Sequence, residues 1–545
     1  MTNTERIIRA LLAKRDIEGE DNIREFLSTR PQIAHDPFLL YNMEAGVDLI
    51  LSEINAGTRI CIYGDYDADG VTSVCILCTF LKQITDDIFY FIPSRFKDGY
   101  GLNNEALNQI KAQGAGLVIT VDCGSVSYAE VEHAKAIGLK IMVTDHHSVD
   151  KVKADCIVIN PKQKECNYPF DGLAGCGVAF KLAQALRMRL DLPKSSLNNC
   201  LDLVAIGTIG DVMPLVDENR TMVKYGLIKI NQRSRTSIAA LLEGLSLNRV
   251  LSENVSFGIV PHINASGRIG DAQDAVELLI ANDIDKAREM TETLKSRNQQ
   301  RKQLQEEAFN NCISMLPDDV NFALIYHEDI HEGIGGIVAG KIKEKLNRPC
   351  IIVMPTEDGR LKGTGRSIDN IDLFQFLNEF SDLFDTFGGH RGACGFTLKR
   401  ENLQALEDGI YNKINRMYQE DSHIFDINRA YDMELHLSDI TLDLYDGIMS
   451  MEPFGQGNPF PVFKISNVNL ADIRLLGNEG KHVKFFAAGC DSQVECILFN
   501  KASEYMDLIT CGDSVDIIGT IDVNEWNGRK TIQFKTEDII KHGGK

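Results

Sequence analysis

The sequence predicts an α/β protein: a doubly wound parallel sheet, then a long connector helix, a smaller α/β domain and a small C-terminal β-barrel. Three observations carry this. From about Arg59 to Asn160, short β-branched runs (RICIY, LVITV, KIMVT, CIVIN) alternate with turns and helix-length stretches, as parallel strands with crossover helices do. From about Ala281 to Asn311 there is no Gly or Pro and many charged helix formers, which reads as one exposed helix. From about Ile424 onward, short alternating runs (VKFFAAG, VECILF, SVDIIGTIDV, KTIQF) are separated by turn residues, the pattern of a small barrel. Between the last two, about Asn321 to Met417 opens with FALIY, a Gly-rich turn, the helical IVAGKIKEKL and the strand CIIVM, a second and smaller α/β unit.

The chain has 545 residues, and at roughly 100–200 residues per domain it holds several cores. Hydrophobic residues at 44% and charged residues at 25% exclude a disordered or fibrous chain. No apolar stretch approaches the ~18 residues of a membrane span, and charge interrupts the amino terminus where a signal peptide is apolar, so a cytoplasmic protein is expected. Fourteen cysteines are too dilute for a disulfide framework, and many sit in apolar runs as small hydrophobes, which suits a reducing compartment. The net charge of −21 argues against a polyanionic partner. Only a local basic groove is needed, however, and Lys341 to Arg366 holds seven Lys or Arg against three acidic residues.

Several motifs mislead. Asp65-x-Asp67-x-Asp69-Gly70 imitates half of a calcium loop, but the twelfth position is Ile76 and a strand precedes it. His327-Glu328-Asp329-Ile330-His331 has zinc-protease spacing, yet it runs into Gly333, Gly335 and Gly336, so no helix can align its histidines. Gly335 to Lys341 resembles a P-loop, but Ile342 stands where a magnesium-binding hydroxyl belongs. Cys75 and Cys78 fall in an apolar helical run with no second pair, a buried face.

What remains is Asp65, Asp67, Asp69, Asp122, Asp145, His146, His147 and, after the apolar run LVAIGTI, Asp211. Any one of these reads as a loop carboxylate, helix cap or satisfied histidine. Together they would repel one another unless cations neutralised them, and strand ends of a parallel sheet are where ligands bind. Oxygen donors with one or two imidazoles suit manganese or magnesium, and a carboxylate shared by two such ions points to phosphate-ester hydrolysis.

YGDYDADGVTS (Tyr63 to Ser73), VDCG (Val121 to Gly124), TDHH (Thr144 to His147) and GTIGDVMPL (Gly207 to Leu215) resemble the motifs of the DHH phosphoesterases, and within them those of the RecJ family of single-strand-specific 5′-to-3′ exonucleases. Further RecJ-like blocks are LAGCGVAFKLAQAL, PHINASGR, HEGIGGIVAGKIKEKLNRP, GTGRS, FGGHRGACGF and MEPFGQGNPFPVF. The resemblance implies an N-terminal helical segment (1–50), a DHH catalytic domain (51–245), connector helices (246–315), a DHHA1 substrate-binding domain (316–420) and an OB-like barrel (421–545). It also implies two divalent ions, Mn2+ or Mg2+, held by Asp67, Asp69, Asp122, His146 and Asp211, with Asp122 as the bridge. Asp65 would support the first loop, Asp145 would orient the imidazoles, and His147 would face the scissile phosphate. Arg366, Ser367 and a Gly388-Gly389-His390 turn would hold a 5′-terminal phosphate, and Arg268 would contact the strand backbone. The barrel would guide more of the single strand. A monomer is expected, with a single-strand-binding protein and a helicase as implied partners and no membrane.

Two other functions use the same modules. A phosphodiesterase acting on short oligoribonucleotides or cyclic dinucleotides would not need the long connector and the barrel. A non-enzymatic replication scaffold would be expected to lose metal ligands, and every one is present.

Overall fold

A computed structural model of the chain describes residues 2–95, 101–149, 152–317, 319–356, 358–427, 429–477, 479–489, 492–526 and 528–541. These group into two compact units: one formed by the chain up to 91, 101–260 and the segment from 429 onward, the other by 92–100 and 261–428.

The first unit is built on five parallel strands: β1 (Ile60–Gly64), β2 (Ile88–Phe91), β3 (Leu117–Val121), β4 (Lys140–Thr144) and β5 (Ile157–Ile159). They lie in the order β2-β1-β3-β4-β5, with every pairing parallel. β1 and β3 are buried along their whole length, because crossover helices cover both faces; hence the uninterrupted apolar runs. The sequence reading missed β2, a short, half-buried edge strand. The order reverses between β1 and β3, and a crevice opens beyond the carboxyl ends of strands at such a point. The apolar run before Asp211 is a helix, Leu201–Gly210.

The second unit contains the connector helix Ile284–Met315, capped by the Asp283 side chain on the Lys286 N–H, and a mixed sheet. Its strands are β6 (Ala323–Tyr326), β7 (Cys350–Pro355), β8 (Leu361–Arg366), β9 (Phe384–His390) and β10 (Ala393–Leu398), in the order β6-β7-β8-β10-β9. Only β6 and β7 pair in parallel.

The C-terminal part returns to the first unit. After the short β11 (Met433–Glu434), strands β12 (Phe463–Leu476), β13 (His482–Ala488), β14 (Gln493–Leu498), β15 (Ser514–Trp526) and β16 (Arg529–Lys541) follow. Pairings β12–β13, β13–β14, β14–β16, β16–β15 and β15–β12 close a five-stranded, OB-like barrel. Its core also takes in Ile7, Ile8, Leu11 and Leu12 of the first helix, Asn3–Ala13, so the two ends of the chain share one hydrophobic cluster.

Candidate metal centre and phosphate-binding face

The loop after β1 is shaped by its own carboxylates. The Asp67 side chain accepts from the N–H groups of Asp69 (2.9 Å) and Gly70 (3.0 Å), and so caps the helix Ala68–Leu81. Gly70 is required there, since a Cβ would lie 2.4 Å from the Asp65 carbonyl oxygen. Asp69, in the first turn, is fully buried and accepts from Gly175 N–H (2.6 Å) and Cys176 N–H (2.9 Å), the start of the helix Gly175–Arg189. A helix amino terminus favours an anion in this position.

Asp122 follows β3 with φ +62°, a left-handed conformation that is strained for a non-glycine residue and typical of functional positions. A Cβ on Gly175 would approach its Oδ1 to 2.6 Å, so only glycine fits against it. After β4, Asp145 accepts from the N–H groups of His146 (2.7 Å), His147 (3.1 Å) and Ser125 (2.9 Å), and its Oδ1 lies 2.8 Å from His147 Nδ1. Asp211 ends the helix Leu201–Gly210, and the chain turns sharply at Val212, φ +55°.

These side chains converge. His146 Nε2 lies 3.1 Å from Asp122 Oδ1, 3.4 Å from Asp211 Oδ2 and 3.8 Å from Asp69 Oδ2. Three groupings have ligand atoms within 4.8 Å of one another: Asp122, His146 and His147; Asp69, His146 and Asp211; and Asp65, Asp67 and Asp122. Seven of the eight residues singled out in the first unit are therefore brought together, and the eighth, Asp145, is bonded to His147. Asp65, expected to support the first loop, and His147, expected to face the scissile phosphate, come within ligating reach too.

The electrostatics show what the cluster lacks. Burial, then the charges of Asp69, Asp67, Asp65 and Asp211, push the Asp122 carboxyl well above the ordinary carboxylate range. Burial, then the charges of Asp69 and Asp67, push Asp211 up to about 8, against the pull of His147 and Lys162. Burial drives His146 down to about 4, against the pull of Asp69. Burial would also lower His147, but its bond to Asp145 prevails and raises it to about 9. Asp145 is held low by that bond despite its burial. Among the described residues, Asp122 Oδ1 and both His146 nitrogens are buried with no hydrogen-bond partner. Buried acceptors and a charge that the protein does not neutralise fit divalent cations of the manganese or magnesium type.

The sequence reading missed the residues that hold this arrangement in place. The Gly175 and Cys176 amides fix Asp69. Asn160, at the end of CIVIN, donates through Nδ2 to Ser125 Oγ (2.9 Å) and to the His147 carbonyl (2.9 Å). The position of Asn160 at a strand end on the same rim was the available signal.

In the second unit, Arg366 ends β8, and Ser367 follows it. The guanidinium lies over the start of the helix Gly335–Leu346: a Cβ on Gly336 would come 2.9 Å from Arg366 Nη2 and 3.2 Å from Thr364 Oγ1. Burial lowers the Arg366 pKa from its usual value. Ala393 of β10 is in register with Arg366 on one side and with His390 on the other, so both stand at one end of the sheet. Gly388 to His390 lie on strand β9; the turn is Arg391-Gly392, and the Ser367 N–H donates to Gly392 O (3.0 Å). The Ser367 hydroxyl donates to Ile371 O. Arg268 reaches the loop before the same helix, donating to Gly333 O (3.2 Å).

Fold and acidic cluster together define a metal-dependent phosphoesterase of the DHH class. Family models agree: the DHH family N-terminal domain matches residues 59–208, the DHHA1 domain 319–416 and the RecJ OB domain 431–538. The chain is 36% identical to the single-stranded-DNA-specific exonuclease RecJ of Bacillus subtilis, covering 98% of this chain and 67% of that protein. It is 32% identical to the Escherichia coli RecJ, covering 92% and 90%. The crystal structure of Thermus thermophilus RecJ in complex with Mn2+ superimposes with a TM-score of 0.82 at 28% identity, covering 98% of this chain and 78% of that one. The chain belongs to the RecJ family.

Proposed function

We propose that the protein is a single-strand-specific 5′-to-3′ DNA exonuclease that releases 5′-mononucleotides by phosphodiester hydrolysis, in DNA recombination and repair. The observation that carries this is the approach of His146 Nε2 to three carboxylates, Asp69, Asp122 and Asp211, within 3.1–3.8 Å at the rim of a parallel sheet. Asp67, Asp69, Asp122, His146 and Asp211 would hold two divalent ions, with Asp122 shared. Such ions supply Lewis acidity, activating water and neutralising charge on the phosphate.

The protein's own groups do the rest. The Asp145 carboxylate accepts from His147 Nδ1–H and favours the protonated ring, so that Nε2–H can donate to a phosphoryl oxygen as negative charge builds there. The amides of Gly175 and Cys176 hold Asp69 still while the substrate binds. Arg366, the Ser367 region, Gly388, Gly389 and His390 would take a 5′-terminal phosphate, with Arg268 on the strand backbone. Arginine suits this because its planar donors match two phosphate oxygens. The OB-like barrel supports a single-strand substrate rather than a dinucleotide. A strand-opening helicase and a single-strand-binding protein are the partners that such a substrate calls for.

We place the enzyme in the cytoplasm, as a monomer. The thirteen described cysteines are all free, as a reducing compartment keeps them, and among the described residues no helix is long and apolar enough to cross a membrane. The test is a cleavage time course with Mn2+ or Mg2+ on single strands labelled at either end, and on the matching duplex. Mononucleotides should leave the 5′ end of the single strand first; release from the 3′ end, or activity confined to dinucleotides, would overturn the assignment.

A further inference from the structure

A cavity of about 560 Å³ lies in the first unit, and its lining includes Val212 and Met213, the residues that follow Asp211. It is bounded by the segment Leu251 to Phe257 and by the barrel, including Thr520 of β15 and Lys535 of β16. Phe257 is, at 78%, the most exposed large apolar side chain among the described residues. It stands in the π-helical stretch Val255–Ile259, where the Val260 N–H reaches back to the Val255 carbonyl. Such single turns of wider helix recur at functional positions. Phe454 and Phe460, whose ring centroids are 4.7 Å apart, also line the cavity.

The charges of the lining exclude a phosphate. Glu253, Glu452, Asp522 and Glu537 face a single Lys535. Glu452 already accepts from the Ser252 and Phe454 N–H groups, and Asp522 from the Val523 N–H and Gln533 Nε2. Glu253, four residues before Phe257, is exposed at the same cavity. An aromatic face beside a carboxylate acceptor suits an unstacked nucleobase, which stacks through its ring and donates through its edge.

We propose that this cavity is a nucleobase site, with Phe257 as the stacking platform and Glu253 as acceptor for an exocyclic amino group. This rests on the single-strand nuclease reading and adds a base preference to it. Adenine, cytosine and guanine carry an exocyclic amino group, whereas thymine offers only its ring N3–H, so a thymine in the site does not present the amino donor that Glu253 is placed to accept from. Strands presenting dA, dC or dG there bind more tightly than strands presenting dT.

The experiment uses the Mn2+-loaded enzyme and 5′-phosphorylated strands of dA, dC or dT whose phosphorothioate linkages slow hydrolysis, each with one 2-aminopurine walked inward from the 5′ end. At one position the fluorescence should be quenched on binding. Phe257→Ala should abolish that quenching and weaken binding on the order of 5- to 150-fold, the range for losing one stacked base, while Phe257→Tyr retains both. Because Phe257 is exposed, its truncation leaves no hole in a core. Glu253→Gln should narrow the gap between dC and dT. Quenching and affinity unchanged in Phe257→Ala, or dT bound as tightly as dC, overturns the proposal while leaving the nuclease reading intact if ordinary strands are still shortened. A wild-type protein that neither binds nor shortens single strands overturns both.

Discussion

Replacing Asp122 with asparagine should stabilise the metal-free protein while abolishing its activity. Asp122 is fully buried, and its Oδ1 has no hydrogen-bond partner among the described residues. Its carboxylate shares a 4.8 Å cluster with Asp65 and Asp67, where one pair of charges at an effective dielectric of ~20 repels by ~3 kcal/mol. The folded pKa is raised, so the destabilisation is absent below the ordinary value of 3.8 and grows as pH rises toward the folded value. At ~1.4 kcal/mol per pH unit, and with proton uptake limiting the charge, Asp122→Asn should gain about 1–4 kcal/mol near pH 7 and nothing near pH 4. With Mn2+ at a hundredfold excess over its dissociation constant, the wild type should gain ~2.7 kcal/mol, and the variant, lacking a ligand, much less. The lead of the variant should therefore shrink by up to ~2.7 kcal/mol in Mn2+. Calorimetric scans of both proteins at pH 4 and 7, in EDTA and in Mn2+, measure this. A variant less stable than wild type in EDTA at pH 7, or an equal response of both to Mn2+, would refute the reasoning.

Arg366→Ala should raise KM for 5′-phosphorylated strands by about 10- to 100-fold, the worth of a charge-assisted phosphate contact, with little change for 5′-hydroxyl strands; steady-state kinetics on the matched pair would show it, and an unchanged preference moves the phosphate site elsewhere. Lys181 and Glu218 form an ion pair of 2.5 Å with both side chains 1% exposed, and Tyr168 donates to the same carboxylate. Lys181→Met should cost about 3–5 kcal/mol in urea unfolding by stranding that charge, and adding Glu218→Gln should recover part of it.

Much of this was legible in the sequence because the physics is local. Strands β1, β3, β4 and β5 show as β-branched runs, since burial on both faces demands apolar residues throughout. The connector shows because 32 residues, Ile284–Met315, contain no breaker. The acids and histidines show because they sit where each run ends. β2 was missed because an edge strand that is only half buried needs no apolar run, and Asp86-Asp87 precede it. The packing of Ile7 and Leu11 into a barrel more than 400 residues away carries no local signal. Nor does the left-handed backbone at Asp122, which nothing in VDCG requires until Gly175 is folded against it.

The positions of the helices explain which members of the cluster are left for cations. Two carboxylates are satisfied by helix amides: Asp67 by the first amides of its own helix and Asp69 by those of Gly175 and Cys176. Asp145 is satisfied by three backbone N–H groups and an imidazole. Each gains from a helix start or from backbone donors and keeps its charge at modest cost. Asp122 Oδ1 and both His146 nitrogens have nothing comparable, and Asp211 stands at the carboxyl end of its helix, where the dipole opposes an anion. Asp122 Oδ1 and Asp211 Oδ2 also converge on one point, 3.1 Å and 3.4 Å from His146 Nε2. Backbone dipoles thus fix the outer carboxylates in place and leave the inner ligands short of positive charge, which divalent cations would supply.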